Sequence, residues 1–269
     1  MVKIALAQFQ PSHDYEESIN KGLELVELAA DAGAKFIGFT ELSFRPFFPQ
    51  FNSDPTYFSW AENMEGTAVT AFTAAAQQHK IDCAVNFFET TGNGVFYDTT
   101  VICRPDGEIL GPVRMAHAAS EPGFDEKYYY WPGDTKPQVY DLGYMKIGVA
   151  ICYDRHFPEY TRELVIQGAE LIFCPFAGLV SDPMQMYEIE MQALAFQNQV
   201  FVACLNRVGK EKNAEFAGGS FVVGPDGDIS TRGATNTEHL LLADIDSSKI
   251  GEFRIKRPFM RDRRPSFYQ

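Results

Sequence analysis

The chain has 269 residues, 45% of them hydrophobic and 22% charged, the make-up of a globular protein able to bury a large core. Its formal net charge of −13 repels phosphate backbones and anionic lipid, so neither nucleic acid nor an acidic membrane is an expected partner. No stretch reaches the roughly 18 apolar residues of a membrane span, and the opening apolar run is too short for a signal peptide, so a cytoplasmic protein is expected.

In chain order, residues 3–9 read as an apolar strand and residues 15–32 as a helix with Ile19, Leu23 and Val26 on one side. A strand over 35–40 ends at Glu41, and an amphipathic helix over 67–79 leads into a strand over 82–89. Two strands flank the turn Pro105-Asp106-Gly107, and a similar turn stands at Pro225-Asp226-Gly227. Between them come a strand over 145–152, a helix over 158–167, a strand over 170–175, a helix over 184–198 and a strand over 200–206. Strands over 220–224 and 239–245 close the series. No Pro/Ser/Gly-rich linker or repeat interrupts it, so residues 1–269 are expected to form one domain, an α/β fold with helices outside two β layers. In open α/β sheets the ligand crevice lies at the carboxyl ends of strands, where both Glu41 and Cys152 fall.

Cys83, Cys103, Cys174 and Cys204 sit in apolar runs and read as core packing, and no Cys-x-x-Cys spacing suggests a metal or a disulfide. Cys152 differs. The segment from Gly148 to Glu159 delivers it from an apolar run into a charged turn, where polar groups can hold a thiolate. Position alone leaves a catalytic and a structural thiol equally open. Glu41, at the end of an apolar run, either has a task or caps a helix or pairs with an arginine. His117 and His156 are candidates for a Cys-His pair, although His156 lies inside the turn after the thiol, where its geometry is unfavourable. Glu190 and Asn198 share a helix and face either a pocket or a partner subunit. The aromatic runs at 44–48 and 128–131 could wall a site from water.

Three segments carry a resemblance: Phe39-Thr40-Glu41-Leu42-Ser43, the run from Gly123 to Asp134, and the run from Gly148 to Glu159. With the closing residues 261–268, they resemble the successive signatures of the nitrilase superfamily of carbon–nitrogen hydrolases, in its amidase-like branch. The resemblance implies a four-layer α-β-β-α sandwich that forms a homodimer or higher homo-oligomer, with 254–269 as a C-terminal arm at the interface. It implies that Cys152 attacks a small amide to form a thioester, that Glu41 takes the thiol proton, and that Glu126 orients the nucleophile or the attacking water. It places the backbone N–H of Tyr153 at the oxyanion and Phe176 and Ala177 along the substrate cavity. It involves no metal and no cofactor. The implied substrate is an aliphatic amide or an N-carbamoyl amine, released as acid plus ammonia or amine.

One position departs from that family. Its lysine, normally in an Arg-Lys-x-His pattern, is matched by Met115 within Arg114-Met115-Ala116-His117. Methionine carries neither charge nor donor, and two carboxylates beside a thiol without a cation raise its pKa. Three readings stand open. Arg114, Lys127 or Arg155 supplies the charge from another direction; the substrate brings an ammonium or other cation, with Met115 packing on its stem; or the site is inactive, by natural loss or by replacement of the lysine, and binds a ligand or acts as a scaffold.

Overall fold

Two mixed sheets carry the architecture, and a computed structural model describes residues 1–268 of it. The first sheet is built from β1 (Val2–Gln8), β2 (Phe36–Phe39), β3 (Asp82–Gly92), β4 (Val95–Cys103) and β5 (Ile109–Arg114). The second uses β6 (Val139–Asp141), β7 (Lys146–Val149), β8 (Leu171–Phe176) and β9 (Phe201–Asn206). After a small β10–β11 hairpin (Val208–Lys210, Glu215–Ala217), β12 (Phe221–Val223) and β13 (Ile229–Arg232) complete the second sheet, and β14 (His239–Ile245) returns to the edge of the first. Each sheet has a parallel centre, β1-β2-β3 in one and β7-β8-β9 in the other, with antiparallel strands outside. Helices α1 (Tyr15–Asp31) and α2 (Thr67–His79) cover the first sheet. Between the sheets in sequence lies the one-turn α3 (Glu126–Tyr129); α4 (Pro158–Ile166) and α5 (Met184–Asn198) cover the second sheet, and α6 (Ser248–Lys256) follows β14. The layers are therefore α-β-β-α.

Strand alternation explains the layering. Ile4 and Leu6 face the second sheet, whereas Ala5 and Ala7 join Ile37, Phe39, Cys83 and Val85 beneath α1 and α2. Phe36 of β2 meets Phe173 of β8 edge-on at 5.5 Å between ring centroids, tying the sheets together. Gly38 lies under the same ring: a Cβ there would stand 2.4 Å from Phe173. Gly38→Ala is thus expected to cost about 1–3 kcal/mol, lowering Tm by roughly 2–10 °C. Thermal unfolding followed by circular dichroism checks this, and an unchanged Tm would contradict the close approach.

Helices over 67–79 and 184–198 and the strand over 239–245 lie where the sequence places them. The strand expected over 145–152 does not extend that far. It ends at Val149, and Cys152 opens a 3-10 turn, Cys152–His156, because the chain must leave the sheet to reach α4. Apolar content continues through Ala150 and Ile151, so hydrophobicity alone gives no sign of the break. Short elements, α3 and α6 among them, were not expected either, and residues 254–256 of the proposed arm belong to α6.

Candidate active site

Glu41 stands two residues past the end of β2, and the next residue, Leu42, adopts a left-handed φ of 44°. Cys152 does the same after β7, with φ of 42°. Such a conformation costs a side-chain-bearing residue about 1–2 kcal/mol and persists only where neighbours enforce it. At Leu42 the N–H donates to Asn86 Oδ1 at 2.6 Å, and buried Arg207 donates from Nη1 to the carbonyls of Glu41 and Leu42 at 2.9 and 2.8 Å. At Cys152, Arg155 Nη1 donates to the carbonyl oxygen at 2.7 Å. Two strained corners, one from each sheet, thus aim their side chains into the space between.

Glu126 comes from a third direction, on the first residue of α3, where the N–H of Ala119 donates to Oε2 at 2.7 Å. Carboxylate oxygens of Glu41 and Glu126 and the sulfur of Cys152 all lie within 4.8 Å of one another, and all three residues are buried. Such a donor set could also hold a metal ion.

A fourth group joins them from β4. Asp98 is buried, its carboxyl accepts from Asn86 Nδ2 at 2.5 Å, and it is in hydrogen-bond contact with Glu41. Two carboxyl groups can bond only with a proton between them. Beyond that contact and the Cys152 thiol, which donates to Glu41, both oxygens of Glu41, Oδ2 of Asp98 and Oε1 of Glu126 have no hydrogen-bond partner, and neither has the hydroxyl of Tyr130. Met115 donates its backbone N–H to the carbonyl of Asp98 at 2.9 Å, so the two are cross-strand neighbours on one face, and its side chain is buried.

Charge compensation is thin. No lysine among the described residues is buried. Arg114 is drawn away to Glu89 and Asp134 at 2.6 and 2.8 Å, and Lys127 is exposed. Arg155 is the candidate cation placed on the sulfur, with Nη1 at 3.8 Å from Sγ and its guanidinium over the rings of Phe176 and Tyr187, 4.7 Å from each centroid. Burial, then Glu41 and Glu126, push the Cys152 thiol well above its usual range, while Arg155 and the N–H of Ala177, bonded to the sulfur, pull it down. Phe176 therefore supports Arg155, and Ala177 meets the sulfur through its backbone.

Burial likewise raises Asp98 to about 7 and Glu126 to about 8, and raises Glu41 well above the carboxylate range. Asp98 and Glu126 then hold protons in the folded chain at pH values where the unfolded chain has lost them. Stability from these groups is complete below about pH 4 and is lost as pH rises through 7 and 8. Tm is expected to fall between about pH 4 and pH 8 and to level off above, and to fall less steeply in Asp98→Asn; equal slopes in the two proteins would contradict the buried protonation.

Tyr153 is half-buried and shares a surface cleft with His117, Lys127, Tyr130 and Phe157. His117 Nδ1 bonds Asp154 at 2.7 Å and His156 Nδ1 bonds Glu190 at 2.8 Å, so the imidazoles serve carboxylates and not Cys152. Asn198 turns back to the Leu194 carbonyl of its own helix. Asp98, Asn86 and Arg207 were missed from sequence. The one signal was an acid inside the strand Tyr97-Asp98-Thr99-Thr100, which alternation assigns to solvent with equal ease.

A model of the carbon-nitrogen hydrolase family matches residues 3–255. The chain is 34% identical over 286 residues to an N-carbamoylputrescine amidase of Solanum lycopersicum, covering 100% of this chain and 94% of that one. It is 32% identical to a citrullinase of Francisella tularensis, over 99% and 96% of the two chains. The crystal structure of a carbon-nitrogen hydrolase from Helicobacter pylori G27 superposes with a TM-score of 0.94 at 29% identity, over 99% and 97%. No helix of the described residues is long and apolar enough to cross a membrane. Matched over nearly its whole length in sequence and in fold, the chain belongs to the carbon–nitrogen hydrolase family of the nitrilase superfamily.

Proposed function

We propose that this protein hydrolyses a carbon–nitrogen bond of a small non-peptide substrate, an aliphatic amide or an N-carbamoyl amine in the simplest case, through a thioester on Cys152. The convergence of Cys152, Glu41 and Glu126 within 4.8 Å carries the reading. A proton shared between Glu41 and Asp98 leaves one carboxylate free to accept the thiol proton. The thiolate, steadied by Arg155 and the Ala177 N–H, attacks the carbon; the amine leaves with a proton, and water oriented by Glu126 releases the acid. The Tyr153 backbone N–H serves the oxyanion. Met115 stands at the family's lysine position, and relatives with names of carbamoyl-compound hydrolases favour an N-carbamoyl amine.

A second reading is an inactive member that binds a ligand or acts as a scaffold, favoured by the raised thiol and the lack of a buried lysine. Ammonia release across amides, carbamoyl amines and nitriles separates the two. Turnover supports hydrolysis; none on any substrate, with Cys152 inert to alkylation, selects the second reading. We read residues 1–269 as one domain and 254–269 as an arm of a homodimer interface, supported by exposed Ile255, Phe267 and Tyr268.

A further inference from the structure

We propose that the carbon attacked by Cys152 belongs to an amidinium or guanidinium group, whose own positive charge stands where a buried lysine would otherwise be required. The proposal rests on the reading of Cys152 as nucleophile and puts a cationic substrate, with an amide or a urea as product, in place of the neutral amide or carbamoyl amine. Three buried carboxyl groups, Glu41, Asp98 and Glu126, present four oxygens with no partner beyond one another and the Cys152 thiol, next to the uncharged Met115. Protonated while the site is empty, these carboxyls would be drawn to the ionised form by a bound cation, and ionised carboxylate oxygens accept and do not donate. The carbonyl oxygen of a neutral amide brought among them would meet further acceptors, whereas an amidinium is planar, offers only N–H donors and carries the opposite charge. Arg155 points to the Cys152 carbonyl and lies over Phe176 and Tyr187, which leaves those four oxygens to a ligand.

The chemistry agrees with the charges. Thiolate attack on a neutral amide creates an oxyanion, and carboxylates around it oppose the step. In attack on an amidinium, the new S–C bond forms while the C=N pair moves onto the cationic nitrogen, and the tetrahedral adduct is neutral. One nitrogen then takes a proton from a protonated Glu41 or Glu126, the C–N bond breaks with its electron pair on nitrogen, and ammonia leaves. The remaining cationic thioimidate on Cys152 adds water, whose proton returns to the carboxylate. Cleavage of the C–S bond restores the thiol and releases an amide from an amidine or a urea from a guanidine. The sum is amidinium plus water giving amide plus ammonium. No step generates an oxyanion before ammonia has left, so the first barrier is crossed without a lysine.

Chloroacetamidine and chloroacetamide have the same shape and differ in charge. Each is incubated with the purified protein at pH 7.5, its rate is normalised to that with free cysteine, and the alkylated residue is mapped by mass spectrometry. Chloroacetamidine is expected to label Cys152 about 10–100-fold faster, a preference that Asp98→Asn weakens and Met115→Lys reverses. Acetamidine is then expected to release ammonia faster than acetamide. Equal or faster labelling by chloroacetamide overturns the amidinium proposal and leaves Cys152 as nucleophile. Labelling of Cys152 by neither reagent overturns both. One tightly bound zinc ion per purified chain would fill the same place and overturn the amidinium proposal.

Discussion

Cys152→Ala is expected to lower kcat by on the order of 10⁴-fold or more, with the fold intact. The sulfur is the strongest nucleophile of the site and a good leaving group from carbon; in this account the neighbouring acids move protons and the N–H of Ala177 positions. Structural damage is not expected to confuse the result. The left-handed φ of 42° is already borne by a residue with a Cβ, so alanine adds no backbone strain, and Arg155 keeps its bond to the carbonyl at 152. Steady-state kinetics with thermal unfolding as a control reads both quantities. A variant retaining a tenth of the activity would remove the thiol from the mechanism.

Met115→Lys is the second large effect, and its direction is a gain. An ammonium at this position would face Asp98 from the next strand and, through it, Glu41. It would draw the raised carboxyls and the Cys152 thiol back toward their ordinary ranges and donate to an oxyanion. Loss of one such donor in other hydrolases costs roughly 10²–10³ in rate, so neutral-amide kcat/KM is expected to rise by about that factor. The pH profile of thiol alkylation is expected to shift toward lower pH. A variant that folds but hydrolyses neutral amides no faster, with an unshifted alkylation profile, would show that position 115 does not set the charge of the site.

Much of the fold was legible because apolar periodicity records which face of each element is buried. Residues 67–79 show helical spacing, and both this helix and 184–198 stand where the sequence places them, each ending at a left-handed residue, Lys80 and Gln199. Continuous apolar runs are silent on where a strand stops, and the strand before Cys152 was read three residues too long for that reason. Glu41 and Cys152 were visible as charged or reactive residues at the ends of such runs. Glu126 was visible only through resemblance, since Asp125-Glu126-Lys127 looks solvated until the Ala119 N–H and the burial of α3 are known. Asp98 stayed hidden because a single acid in a strand says nothing of which face it takes. Its role depends on Asn86, twelve residues away, and on Glu41, contributed by another strand. Arg207 was hidden likewise: its partners are backbone carbonyls of residues 41 and 42, which no side-chain pattern encodes.

Covalent attachment to Cys152 is the claim on which the rest depends, and acid quench during turnover followed by peptide mapping tests it most directly. The account predicts a substrate-derived mass on the peptide that carries Cys152, and none on those carrying Cys83, Cys103, Cys174 or Cys204, which are buried in the core. Ammonia release at full rate with no mass on Cys152 at any quench time would contradict it.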